Sequence, residues 1–149
     1  MLIENQVALS ECRAKLLLIG GAPGSGKTSL ARTLDRELVE ADQFFELGGG
    51  GYAYDSTKIK EAHAWAQNKV RILLLQGQQV VATAIFARHW ERMAYANIAH
   101  QIKCGVAMHF CSGEFPNVHG VSQDKVESIR LRIEPFRSLN PTRRRPLRR

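Results

Sequence analysis

The chain has 149 residues, a hydrophobic fraction of 44% and a net charge of +7, which suits one globular domain with a substantial core. No apolar run approaches the roughly 20 residues that cross a bilayer, and the N-terminus lacks the charged-then-apolar layout of a signal peptide, so we expect a soluble, cytoplasmic protein without a membrane partner. Three cysteines without C-x-x-C spacing (Cys12, Cys104 and Cys111) argue against a disulfide framework or a zinc knuckle and favour buried thiols.

The first predicted elements are a strand and a helix. "KLLLIG" at 15–20 is a short apolar run that ends on glycines, as is typical of a buried parallel strand. Leucines spaced four residues apart predict a helix from Lys27 to about Glu40. "VEAD" at 39–42 either forms a short second strand or ends this helix. Four successive glycines at 48–51 then exclude a helix interior.

The same alternation continues in the second half of the chain. A long helix is predicted from Ser56 to about Gln76, capped by Ser56 or Thr57. The later elements are a strand at 79–85, a helix at 88–103, a strand at 105–110 and a last helix that Ser122 caps and that ends near Pro135. Strands that alternate with helices predict a three-layer α/β fold with a mostly parallel central sheet.

The positive charge is concentrated at the C-terminus. Residues 137–149 hold six arginines and no acid, and removing these six from the net charge of +7 leaves about +1 on residues 1–136. We therefore expect a domain at 1–136 and a disordered, Arg-rich tail at 137–149. Such a tail could hold the phosphate backbone of DNA or RNA through counterion release; a solvated chain end is the alternative.

A phosphate-binding motif follows the first strand. Gly21, Gly26, Lys27 and Thr28 fit the pattern G-x-x-x-x-G-K-[ST] between a strand and a helix. The glycines let backbone N–H groups turn inward around an anion, and the helix N-terminus adds its dipole. We expect Lys27 to be catalytic by reaching the β- and γ-phosphates of ATP, and Thr28 to ligate Mg²⁺. The predicted nucleotide-binding residues are Gly21, Ala22, Pro23, Gly24, Ser25, Gly26, Lys27, Thr28 and Ser29.

Later stretches carry a family resemblance. "ADQFF", "GGYAYD", "AHAWAQ", "FARHWERMAY" and "NVHGVSQDKV" occur in the same order as in the polynucleotide-kinase-like ATPase domain, which the chain resembles from about Lys15 to Phe136. The resemblance implies a small P-loop NTPase fold with a C-terminal lid helix, in which the γ-phosphate of ATP moves to the 5′-hydroxyl of DNA or RNA. It also implies that Asp42 is the general base, a position where a carboxylate can accept the hydroxyl proton; a role in ending the strand is the alternative.

Other residues match the family pattern with less defined roles. His63 matches, but on an apolar helix it is read as a hydrogen-bonded packing residue rather than a catalyst. Trp65 and Trp90 are interpreted as core or groove aromatics. Asp55 also matches, and its role stays open.

The chain departs from the family in three of its motifs. The family usually reads V-D-N-T after its third strand, whereas "VATAIF" puts Thr83 and Ala84 in place of Asp and Asn. Phe45 stands where an Arg holds the acceptor phosphate, and Pro116 stands where the lid carries an Arg. Losing a cation aimed at the transferred phosphate can cost orders of magnitude in rate. Candidate substitutes are Asp55 or Glu114 for the carboxylate and Arg88, Arg130 or Arg132 for the cations.

Three functions fit these observations. The first is an ATP-dependent kinase acting on a polynucleotide 5′-hydroxyl, and the second is a nucleotide-binding module that acts through a partner or a nucleic acid. The third is a kinase for a small-molecule hydroxyl, because many small P-loop kinases share the same parts.

Overall fold

Four parallel strands form the centre of the structure, a computed structural model that describes residues 1–113 and 121–141. The strands are β1 (Leu16–Gly20), β2 (Glu37–Glu40), β3 (Val80–Thr83) and β4 (Val106–Phe110). They lie in the order β2-β3-β1-β4, and every neighbouring pair is parallel. The α-helices are α1 (Lys27–Arg32), α2 (Ile59–Leu75), α3 (His89–Ile102) and α4 (Gln123–Arg132).

The two faces of the sheet bury different layers. Successive side chains of a strand point to opposite faces, and all five residues of β1 are buried. Leu16 and Leu18 pack in the layer that contains α2 and α3. Leu17 and Ile19 pack in the opposite layer, with α1 and a short 3-10 helix at Gln6–Glu11. The predicted three-layer α/β fold with a mostly parallel sheet is confirmed.

The first predicted helix is wrong in length. It was expected from Lys27 to Glu40, but α1 ends at Arg32 and β2 begins only five residues later. The Arg36 guanidinium lies between the two elements and donates to three carbonyl oxygens, which ties the start of β2 to the rest of the sheet. The leucine spacing could not distinguish one long helix from a helix followed by a strand. Leucines from the helix, the turn and the strand all pack against the same apolar cluster: Leu30, Leu34 and Leu38.

The start of the second long helix also differs from the prediction. Asp55, rather than Ser56 or Thr57, provides the cap: its Oδ1 accepts hydrogen bonds from the Thr57 N–H at 2.9 Å and the Thr57 hydroxyl at 2.6 Å. A 3-10 turn at Ser56–Lys58 then leads into α2. The predicted cap of the last helix is confirmed, since the Ser122 hydroxyl accepts from the Lys125 N–H at 3.3 Å.

The packed part of the chain extends beyond the predicted boundary at residue 136. Leu139 is 1% exposed and belongs to the layer of α2 and α3. Its carbonyl also forms a hydrogen bond with His100 Nε2. Residues 142–149, which hold five of the six tail arginines, lie outside the described residues, so the disordered tail stays a prediction.

Two expectations from composition can be compared with the fold. Among residues 1–113 and 121–141, no helix combines the length and the apolar character that crossing a membrane requires. All three cysteines are free thiols; Cys111 is buried, whereas Cys12 and Cys104 are only partly buried.

Candidate active site

A cleft of about 2000 Å³ lies at the carboxyl ends of the four strands. Its walls come from the segments that follow each strand and from one side of α4. Open α/β sheets bind ligands at this edge, so the fold itself points to the cleft.

Two glycines allow the loop between β1 and α1 to take its shape. A Cβ atom on Gly21 would lie only 2.6 Å from the Cys111 carbonyl oxygen and 2.5 Å from Ser25 Oγ. Gly26 has φ 93° and ψ 16°, a left-handed conformation that side chains disfavour. Residues 23–29 line the cleft, whereas Gly21 and Ala22 are buried beneath it.

Lys27 folds against this loop. Its ammonium donates to the carbonyl oxygens of Gly21 at 2.8 Å and Ala22 at 3.0 Å. Burial lowers the pKa of Lys27, while nearby Cys111, Glu40 and Asp42 oppose that shift. An ammonium has three donors, so among residues 1–113 and 121–141 these two bonds leave one donor for a ligand phosphate.

Asp42 lies in the same cleft as Lys27 and Thr28. It belongs to a 3-10 helix at Ala41–Glu46 that directly follows β2. The Tyr52 hydroxyl donates to Asp42 Oδ1 at 3.3 Å. Desolvation, followed by the charge and hydrogen bond of Asp42, raises the pKa of Tyr52 to about 12, so the phenol remains a donor at neutral pH. The two predicted catalytic residues are thus brought together.

Glu40 is a site residue that the sequence reasoning missed. Its Oε1 accepts hydrogen bonds from the Thr28 hydroxyl at 2.6 Å and the Thr83 hydroxyl at 2.8 Å. Glu40 is the last residue of β2 and stands opposite Thr83 in the parallel register. The sequence does carry a signal, an acidic residue two positions before Asp42. It was missed because Glu40 lies where the first helix was predicted to end, so its place in the site could not be assigned.

This oxygen cluster fits Mg²⁺, the metal that a P-loop kinase fold implies. Mg²⁺ prefers oxygen ligands and takes one or two carboxylates together with phosphates and water, and Thr28, Glu40 and Thr83 offer two hydroxyls and a carboxylate. Among the described residues, no three His, Cys, Asp or Glu side chains group into a metal site. Asp55, a proposed substitute, caps a helix instead and does not line the cleft. The other, Glu114, lies outside the described residues.

Aromatic side chains occupy the position where the family carries a cation near its acceptor. Phe45 is 7% exposed, and its ring centroid lies 5.5 Å from Phe44, 6.1 Å from Tyr52 and 5.2 Å from Tyr54. The family's Arg is thus replaced by an aromatic cluster.

Cations reach the cleft from other elements. Arg88 and Arg132 both line it, and Arg88 also pairs with Glu134 at 3.4 Å. Arg130 bonds instead to Glu127 and to a backbone carbonyl, and it is not among the cleft residues. The predicted departure at Pro116 lies outside the described residues.

Three further residues from the family pattern take different surroundings. His63 is exposed on the cleft wall, so its interpretation as a packing residue is wrong. Trp65 packs partly buried beside Phe44, with ring centroids 6.4 Å apart. Trp90 is 71% exposed and also lines the cleft, so it is a groove residue.

Comparison with known proteins gives a family match and a human relative. The family model AAA_33, described as an AAA domain, matches residues 16–114, well over half of the chain. NEDD4-binding protein 2 of Homo sapiens is 28% identical over 139 residues, which cover 83% of this chain and 8% of that protein.

Solved structures with the same fold include a chain of an RNA repair complex and an APS kinase. A chain of the Pnkp1/Rnl/Hen1 RNA repair complex aligns with a TM-score of 0.56 and 20% identity over 86% of this chain and 50% of that one. APS kinase CysC of Mycobacterium tuberculosis, solved with AMPPNP and APS, aligns with a TM-score of 0.52 and 17% identity over 67% of this chain and 63% of that one. The chain thus spans less than two thirds of each protein compared. It belongs to the AAA_33 family of AAA domains and has the fold of a polynucleotide-kinase-like P-loop kinase.

Proposed function

We propose that the chain is an ATP-dependent kinase that transfers the γ-phosphoryl group to the 5′-hydroxyl of a polynucleotide. One observation carries the proposal: Lys27 and Thr28 of the phosphate loop share a cleft with Asp42, a carboxylate that accepts a hydrogen bond from Tyr52. A cation for phosphates and a carboxylate for a hydroxyl proton are the parts that phosphoryl transfer needs.

Each side chain has a defined task in the transfer. Lys27 binds the β- and γ-phosphates and offsets their negative charge. Asp42 orients the attacking hydroxyl and accepts its proton as the new oxygen–phosphorus bond forms. The bond between the γ-phosphorus and the bridging oxygen breaks, and ADP leaves with that oxygen. Tyr52 holds the carboxylate in place through its hydrogen bond of 3.3 Å.

Thr28 would hold Mg²⁺ through its hydroxyl. When bound, Mg²⁺ supplies positive charge that neutralises the phosphate oxygens during transfer. Lys27 opens α1 and Thr28 follows it directly, so a residue that holds the phosphates and a residue that holds the metal are fixed by one turn of backbone.

The lining of the cleft supports a polynucleotide as the acceptor. Tyr52, Tyr54 and Trp90 line it with large exposed fractions of 46%, 56% and 71%, and exposed aromatic rings are the surfaces on which unpaired bases stack. Arg88 and Arg132 add positive charge that a phosphate backbone would use. The shared fold with a chain of an RNA repair complex is in keeping with this acceptor.

The test is transfer of labelled γ-phosphate from ATP to 5′-hydroxyl DNA and RNA oligonucleotides. Asp42→Asn should lower the transfer rate by about 10²- to 10⁴-fold while nucleotide affinity is retained. Asp35→Asn is the matched control, because Asp35 is an exposed carboxylate that does not line the cleft. Equal rates in the wild type and Asp42→Asn would refute the role of Asp42. Label on small hydroxyl compounds but not on oligonucleotides would replace the polynucleotide with a small-molecule acceptor.

A second candidate is a nucleotide-binding module that acts through a partner or nucleic acid. The uncharged Thr83 and Phe45 at two positions that carry charge in the family favour it. This function requires nucleotide binding with little turnover, and association that changes when the nucleotide is bound. A Lys27→Ala variant that loses nucleotide but binds its nucleic acid unchanged would contradict it.

A further inference from the structure

We propose that Glu40 supplies the carboxylate that holds Mg²⁺ beside Thr28, a role that the sequence pattern does not give to this position. The proposal rests on the proposed function, because it assigns a residue to the same nucleotide site. It identifies the negative charge that the threonine at the end of β3 cannot provide.

The geometry places Glu40 between two elements of the site. It ends β2, Thr83 ends the neighbouring β3, and Thr28 lies in the first turn of α1. One oxygen of Glu40 takes both hydroxyl hydrogens, at 2.6 Å and 2.8 Å. Within residues 1–113 and 121–141, the other oxygen accepts no hydrogen bond. Glu40 is half-buried and lines the cleft, so that oxygen can face a ligand.

A purely structural role explains this carboxylate poorly. Two hydroxyl donors could be satisfied by an uncharged amide oxygen, without the cost of burying part of a charge. In the described part of the chain, Glu40 forms no ion pair within 4.0 Å. An anion beside a loop that binds phosphates repels them, unless a divalent cation lies between the two. Nearby Lys27 gains from this charge, since Glu40 opposes the lowering of the Lys27 pKa, but Lys27 does not form an ion pair with it. The second, unbonded oxygen gains a partner of its own when the ligand arrives with Mg²⁺.

The decisive measurement is the affinity for AMPPNP by calorimetry, with Mg²⁺ and with a chelator. Mg²⁺ should tighten AMPPNP binding to the wild type. In Glu40→Gln the ratio of the affinity with Mg²⁺ to the affinity with chelator should be about 10- to 100-fold smaller than in the wild type. Without metal, Glu40→Gln should bind AMPPNP as tightly as the wild type or tighter, because a repulsive charge is gone. Glu37→Gln, at the exposed opposite end of the same strand, is the matched control and should behave like the wild type.

A second variant separates the metal role from a folding defect. Thr83 Oγ1 lies 2.8 Å from Glu40 Oε1, so a carboxylate at position 83 reaches the same point from the neighbouring strand. Glu40→Gln combined with Thr83→Asp should restore the Mg²⁺ dependence. The electron paramagnetic resonance spectrum of Mn²⁺ bound with AMPPNP should change in Glu40→Gln and recover in the double variant.

Several outcomes would overturn the proposal. An unchanged Mg²⁺ dependence in Glu40→Gln, or equal losses with and without metal, would leave Glu40 a structural residue. A wild type that does not bind AMPPNP would refute both this role and the proposed function. The two proposals can also part. If phosphate is transferred to no acceptor, but AMPPNP binding depends on Mg²⁺ and Glu40→Gln abolishes that dependence, the proposed function is refuted and the role of Glu40 is supported.

Discussion

Replacing Arg92 with methionine should destabilise the fold by about 4 kcal/mol, although Arg92 does not line the cleft. Arg92 is a charged residue on α3 with no solvent exposure. Its guanidinium donates to four carbonyl oxygens, two before α3 and two after α4: Phe86 at 2.8 Å, Ala87 at 3.2 Å, Glu134 at 2.7 Å and Pro135 at 3.1 Å. It therefore ties the loop after β3 to the chain that follows α4.

The magnitude follows from these contacts. The two shortest bonds join a cation to carbonyls, and losing each should cost about 1.5 kcal/mol. The guanidinium also lies 4.7 Å from the Phe110 ring centroid, a contact that contributes about 1 kcal/mol. Only the bond to Phe86 is fully buried. The two longer bonds, at 3.1 Å and 3.2 Å, should contribute least, because they are the weaker ones and water can replace the donor. A loss of about 4 kcal/mol corresponds to a fall in Tm of roughly 8–16 °C for a chain of this size.

Urea unfolding followed by circular dichroism measures this loss. The matched control is Arg71→Met, because Arg71 makes one exposed hydrogen bond, to Gln101 at 2.9 Å, and should lose less than about 0.5 kcal/mol. Arg92→Lys should fall between the two, since an ammonium keeps the charge but not the forked set of donors. If Arg92→Met and Arg71→Met lost similar free energies of unfolding, the role given to the buried guanidinium would be refuted.

Gly21→Ala should abolish AMPPNP binding and destabilise the fold, since its Cβ would lie 2.6 Å from a backbone oxygen; Gly48→Ala, with no atom within 4 Å, should be near neutral in the same titration. Backbone hydrogen bonding from His89, then the neighbouring Arg88, lowers the pKa of Glu134. That interaction stabilises the fold at pH values above 4.5, the ordinary pKa of a glutamate, and is lost as the pH falls through the lowered pKa. Glu134→Gln should therefore flatten the acid side of a plot of unfolding free energy against pH, and an unchanged acid side would contradict this. Trp90→Ala should raise the KM for an oligonucleotide acceptor roughly tenfold without changing Tm, because one stacked base contributes about 1–3 kcal/mol; Leu131→Ala, exposed and outside the cleft, is the control.

The sequence by itself determined the local parts of the site. The run at 15–20, the glycines and the Lys27–Thr28 pair lie within one strand–loop–helix unit, where neighbouring residues fix the backbone. The glycines at 21 and 26 stand where a Cβ would collide or would disfavour the observed φ, so the motif and its conformation depend on the same short stretch. The alternation of strands and helices was readable for the same reason, and it predicted the parallel sheet.

Only the tertiary structure decided where α1 ends and which carboxylate faces Thr28. Leucines four residues apart satisfy a helix, yet the same leucines pack equally well from a helix, a turn and a strand once the sheet is assembled. Glu40 meets Thr83 across 43 residues of sequence, and that pairing depends on the register of β2 against β3. The register is set by packing of the whole sheet against its helices, so spacing along the chain carries no record of it.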